Sequence, residues 1–238
     1  MLAGSLLALP VLVDPTTNHE DGHMKALSTL ALGAGLCLVA ATAPAQMDHK
    51  GMGHDMAASM PNRPMKASMA QMNRMMRGWP KASQEAVMFM TKKYGAPMHL
   101  NEHMALWGQT GQWKRTVVYN YEVNHQFPGP HTDVMQQWVN YRVPADKFSD
   151  LGRYDGSVVP ERTNGEISAR CDKEAANFLA LNLADEIITG KRSPDDARKM
   201  YGEQIMKMKA GQSAPYTERL MFTPAAGGTN DPDRPLPM

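Results

Sequence analysis

Cysteine is scarce in this chain, with two among 238 residues, Cys37 and Cys171. Since Cys37 falls in a leading apolar segment, the remainder has one thiol and cannot form an internal disulfide. A stapled extracellular scaffold is thereby excluded. Charge of one sign is also lacking: 25 Lys and Arg oppose 24 Asp and Glu, a formal net of +1. Bulk charge therefore gives no reason to expect nucleic acid or an anionic membrane as partner. Apolar runs are short and broken by glycine, which excludes a polytopic membrane protein. Glycine-rich phosphate loops, nucleophilic triads and basic-aromatic nucleic-acid faces do not occur as motifs. What is abundant is methionine, at 21 residues.

Residues 24–45 read as a secretory signal peptide. Lys25 supplies the positive start, Ala26–Ala41 the uncharged apolar stretch, and Ala43-Pro44-Ala45 a small-x-small cleavage signature. Cleavage is expected between Ala45 and Gln46, with export to the periplasm or medium and no permanent membrane span. Leu36 precedes Cys37 where lipidation would need a small residue. Residues 1–23 lack a basic start and a cleavage site, and read as a mis-called upstream extension. Processing removes Lys25 with Asp14, Glu20 and Asp21, leaving a net of +3. Lys50, Arg63, Lys66, Arg74 and Arg77 against Asp48 and Asp55 place that whole excess before Trp79.

Composition divides the exported chain into three regions: a Met/His-rich tail at 46–78, a core domain at 79–222, and a Pro/Gly-rich tail at 223–238 expected to be disordered. Within the core, Ser83–Tyr94 is an expected helix, capped by Ser83 and stopped at Gly95 and Pro97. Lys114–Val123 and Val134–Val143 are expected strands around a Pro128-Gly129-Pro130 loop, and Ser157–Arg162 a further short strand. Glu174–Thr189 is an expected helix with Arg170-Cys171-Asp172 at its opening. Ser193-Pro194-Asp195-Asp196 starts another, running to about Lys209. The order predicts a single small α+β domain with a short antiparallel sheet, about three to four helices and disordered tails.

Residues 47–56 read Met47-Asp48-His49-Lys50-Gly51-Met52-Gly53-His54-Asp55-Met56. Thioether sulfur is a soft ligand suited to Cu(I), imidazole suits Cu(II) and Zn(II), and glycines let a short chain wrap one ion. Met47, His49, Met52, His54 and Met56 are therefore a candidate copper site. Met47-Asp48-His49-Lys50-Gly51-Met52 resembles the Met-Asp-His-x-x-Met repeats of periplasmic copper-resistance proteins, and this resemblance implies copper sequestration or delivery, with a periplasmic copper-handling partner. It covers ten residues and one copy of the repeat. The blander reading is a low-complexity linker. Downstream, Met65, Met69, Met72 and Met76 recur on one helical face. They would form either a thioether ladder for Cu(I) or a Met face packed on the core or a partner.

Four histidines lie in the core. His99-Leu100-Asn101-Glu102-His103 matches H-x-x-E-H, the zinc motif of the inverted zincins. That chemistry requires both histidines on one helical face, Glu102 as general base and a distal acid such as Glu174. Pro97 and Gly108 leave little room for such a helix, and the resemblance ends with those five letters. Met98, His99, His103 and Met104 make a candidate second copper site. His125, His131 and Asp133 make a candidate binding rim in the Pro-Gly-Pro loop. Cys171, beside Arg170 near a helix start, reads either as an activated thiol or as a buried small apolar residue.

These observations favour an exported metal-binding protein that handles copper through its Met/His tail. A competing class is an exported metal-dependent hydrolase using His99, Glu102 and His103 or His125, His131 and Asp133. A third is a partner-docking module without metal.

Overall fold

The computed structural model describes residues 60–238. Residues 1–59, with the leader and the whole Met47–Met56 motif, lie outside the described residues. The fold is α+β. Its six strands are β1 (His99–Leu100), β2 (Met104–Trp107), β3 (Arg115–His125), β4 (His131–Asn140), β5 (Val158–Glu161) and β6 (Glu166–Cys171). They form one antiparallel sheet in the order β1-β2-β3-β4-β6-β5. Five helices accompany it: α1 (Met69–Met75), α2 (Lys81–Tyr94), α3 (Phe148–Tyr154), α4 (Glu174–Ile188) and α5 (Pro194–Lys209). None is long and apolar enough to cross a membrane.

Helices α2 and α4 cover the same sheet face, because Gln137 meets both. Its amide lies 4.0 Å from the Met90 sulfur of α2, and its carbonyl accepts from Asn177 of α4 at 3.0 Å. Side chains alternate along a strand, so Met135, Gln137 and Val139 of β4 share this face with their β6 neighbours Cys171, Ala169 and Ile167. Helix α4 is apolar nearly all round because α5 and the turn at Pro215–Thr217 cover what the sheet does not. The opposite face carries Arg115 stacked 4.4 Å from the Trp138 ring and paired with buried Glu166, which Lys114 also meets.

Several expectations need correction. The core begins by residue 60 rather than 79. Pro61 bridges Gln109, and Met65 N–H donates to Pro97 O at 2.7 Å. In α1, Ser68 and Gln71 cap each other's backbone, and Met72 and Met76 are buried against Trp79, Val87 and Met90. Met72 and Met76 of the Met face are thus packing surface, while Met69 of the same face and Met75 beside it remain exposed. Helix α2 starts at Lys81, so Ser83 is a buried helical residue and not the cap. Helix α5 is capped by Ser193 and has Pro194 in its first turn, as expected.

The segment 223–238 is held rather than loose over much of its length. Asn140 Nδ2 donates to Ala225 O, and Arg142 Nη2 donates to Asn230 O at 2.8 Å. Arg162 pairs with Asp231 and Asp233. Thr229 Oγ1 donates to Gly165 O at 2.7 Å, and a Cβ at Gly165 would lie 2.2 Å from the Thr229 carbonyl carbon. Composition hid this because several of the contacts are made by backbone carbonyls, which any residue supplies, and the ion pairs join residues far apart in sequence.

A candidate metal centre at the end of the β3–β4 hairpin

Strands β3 and β4 are joined by residues 126–130, and the register pairs His125 with His131 and Val123 with Asp133. The period of two puts His131 and Asp133 on one face, and cross-strand pairing adds His125. That is the helix-covered face, and Cys171 ends β6 opposite Met135, two residues beyond Asp133. Phe127 anchors the loop, with its ring 5.0 Å from Tyr201 and 3.8 Å below the Arg198 guanidinium.

The donors converge. Asp133 Oδ2 lies 3.3 Å from His125 Nδ1, and Asp133 Oδ1 lies 3.1 Å from His131 Nε2. One donor atom from each of the three residues falls within 4.8 Å of the others. Asp133 has no exposed side-chain surface, and the two imidazoles keep 19% and 18% of theirs. Both His125 Nδ1 and Asp133 Oδ1 are buried, and the polar atoms they face belong to the cluster itself.

Each donor also has an outer partner. His131 Nδ1 lies 2.9 Å from Gly129 O, and a carbonyl only accepts, so Nδ1 carries a proton and Nε2 faces inward. His125 Nε2 lies 3.7 Å from Asp155 Oδ1. Ser157 Oγ donates to Asp133 Oδ2. Asp155 is itself positioned by the Ser157 N–H at 2.8 Å. A ring nitrogen on a carbonyl or carboxylate is how metal-ligating histidines are oriented.

Without metal the cluster holds charge. Asp133 chiefly, and then Cys171, raise the His131 pKa to about 11 against the opposing effect of burial. Burial pushes the Asp133 carboxyl up, but His131, Ser157 and His125 together hold it below the usual range. Burial raises Asp155. It also raises the Cys171 thiol, against the pull of His131.

Cys171 ends strand β6 as a buried residue rather than opening the helix. Its sulfur is 3.4 Å from His131 Nε2, the same nitrogen that faces Asp133. A nucleophilic triad needs thiol and carboxylate on opposite ring nitrogens. Here Gly129 O holds Nδ1, and the Asp133 carboxylate and the thiol meet the same ring nitrogen.

The H-x-x-E-H segment is corrected outright. His99 lies in β1 and His103 in the tight turn to β2, so the helix that zinc peptidase chemistry requires is a hairpin. Asn101 Oδ1 accepts from the backbone N–H of His103 at 2.8 Å and of Met104 at 3.0 Å, fixing that turn. His99, His103 and Met104 are exposed and Met98 half-buried. The Met98 sulfur packs against Gly108, where a Cβ would sit 2.8 Å from it. Glu174 is no distal ligand either: Tyr94 Oη and Trp113 Nε1 donate to Oε1 at 2.7 and 2.8 Å, and Lys93 holds Oε2.

A cavity of about 300 Å3 opens beside the cluster, lined by Pro128, Pro130, His131, Cys171, Tyr201 and Ile205 among others. It gives access to His131 and Cys171. Searches of protein-family models, curated proteins and solved structures found no match to this chain.

Proposed function

We propose that this is an exported metal-binding protein whose folded core carries one divalent first-row metal at His125, His131 and Asp133. The observation that carries the reading is the convergence of two imidazoles and a buried carboxylate, with one donor atom of each within 4.8 Å of the others. Two imidazoles and a carboxylate suit zinc, copper, iron or nickel and disfavour calcium and magnesium, which take oxygen ligands. A bound ion would replace the proton on His131 and attract Asp133, while Gly129, Asp155 and Ser157 hold the ligands in place.

The Met47–Met56 motif supports copper as a second cargo of the same protein. Its thioethers suit Cu(I), delivered to or received from a periplasmic partner by ligand exchange. Two variants of the whole chain separate the sites under metal competition with a chromophoric chelator. H125A/H131A should lose one equivalent of Zn(II) and keep Cu(I) binding. Replacing Met47, His49, Met52, His54 and Met56 by serine should do the reverse. Zn(II) binding unchanged in folded H125A/H131A would overturn the core assignment.

A further inference from the structure

A second cavity, of about 440 Å3, lies where residues 224–226 cross the start of β3 and the end of β4. It shares no residue with the metal centre, and its size is that of a small-molecule site. Trp113 and Val139, both fully buried, give it an apolar wall, while Gln109, Gln112 and Asn140 bring side-chain amides. Lys114 is its one ionisable lining residue, and its side chain is only 7% exposed. Lysine is almost never buried this far without a paired carboxylate.

The carboxylate it meets is already matched. Arg115 Nη1 and Nη2 donate to Glu166 Oε1 and Oε2 at 2.7 and 2.6 Å, the two-pronged pairing that one guanidinium makes with one carboxylate. Lys114 Nζ also lies 2.5 Å from Glu166 Oε1. Two cations thus share one buried anion, which leaves one positive charge in excess. Glu161, opposite Glu166 in register, is exposed and lines no part of the cavity. An ammonium has three donors, and among the described residues Glu166 is the one partner of Lys114. We propose that this cavity binds a small organic monocarboxylate, with its carboxylate on the Lys114 ammonium and its body against Trp113 and the side-chain amides. A single excess charge selects a monoanion over a dianion, and a cavity of this size calls for a ligand with a body rather than a bare inorganic ion. Binding here does not depend on metal at His125, His131 and Asp133.

N-acetylglutamine is the probe, because it has a single carboxylate and amide groups on a small body, and its neutral carboxamide is the control. Backbone amide NMR shifts of the whole isotope-labelled chain follow both titrations. The acid should move Gly111, Gln112, Lys114 and Ala225 saturably at millimolar concentration. The carboxamide should bind at least about tenfold more weakly, the worth of one hydrogen bond to a charged group. K114M keeps the aliphatic stem and should bind the two probes alike, at the carboxamide's affinity. Comparing acid with carboxamide in the wild type does not depend on that variant's folding. Three results would each overturn the proposal: equal wild-type affinity for acid and carboxamide, no saturable shift at these residues with the acid, or inorganic phosphate bound there as tightly as the acid.

Discussion

Replacing Met72 with alanine separates two uses of methionine that look alike on a helical wheel. Met72 is 2% exposed and packs with Met76 and Trp79 against Val87 and Met90, whereas Met75 on the same short helix is 41% exposed. If the Met face is core, M72A removes a buried thioether and leaves a cavity, costing about 2–5 kcal/mol. For a domain of this size each kcal/mol lowers the melting temperature by roughly 2–4 °C, so M72A should melt about 4–20 °C lower. M75A should stay within about 0.5 kcal/mol of wild type. Thermal unfolding followed by circular dichroism reads both. Cu(I) competition on the same samples should show no change for either variant. Equal, small melting shifts for M72A and M75A, together with weakened Cu(I) binding in both, would refute the packing argument and restore a thioether ladder.

Other consequences can be checked with similar means. Gly165 has φ +67° and its added Cβ would meet the Thr229 backbone. G165A should release the segment near Thr229 and raise its hydrogen exchange, while G152A, with open space around it, should not. Glu166 is held below its ordinary pKa because Arg115 and Lys114 outweigh the effect of burial. The unfolded chain therefore takes up the proton first as pH falls below about 4.5. The stability contributed by Glu166 is complete above that pH and is lost as pH drops through its lower folded value. Urea melts from pH 6 to 3 should show a shallower decline in E166Q than in wild type. Metal binding stabilises only the folded chain, by about 2.7 kcal/mol when free ion is 100 times its Kd. Adding Zn(II) should raise the wild-type melting temperature, chelator should reverse it, and H125A/H131A should show neither effect.

Much of the architecture was readable from residue order. The helix at Glu174–Ile188 and the cap of Pro194–Lys209 follow from apolar spacing and from the Ser-Pro-Asp-Asp start. The valine- and tyrosine-rich stretches of β3 and β4 were equally plain, but His125, His131 and Asp133, expected in the loop between them, lie on the strands themselves. What failed were elements with weak local signals. Strand β6 holds Ile167, Ala169 and Cys171 in alternation with polar residues, but it is six residues long, and its end at Arg170-Cys171 looks like the opening of the strong helix that follows. Missing β6 hid the contact between Cys171 and His131, because strand pairing, not sequence proximity, brings residues 40 apart together. Asp155 and Ser157 were unreadable for the same reason. His99 and His103 misled in the opposite sense, since five letters at helical spacing lie on a hairpin that Asn101 turns.

The central claim is that the core holds metal through His125, His131 and Asp133. Its most direct test is equilibrium dialysis of the whole chain against Zn(II), with bound metal counted by mass spectrometry for wild type, H125A/H131A and the Met47–Met56 variant. Folded H125A/H131A should bind one equivalent fewer than wild type, while the tail variant should keep that equivalent. Identical zinc content in wild type and folded H125A/H131A would contradict it.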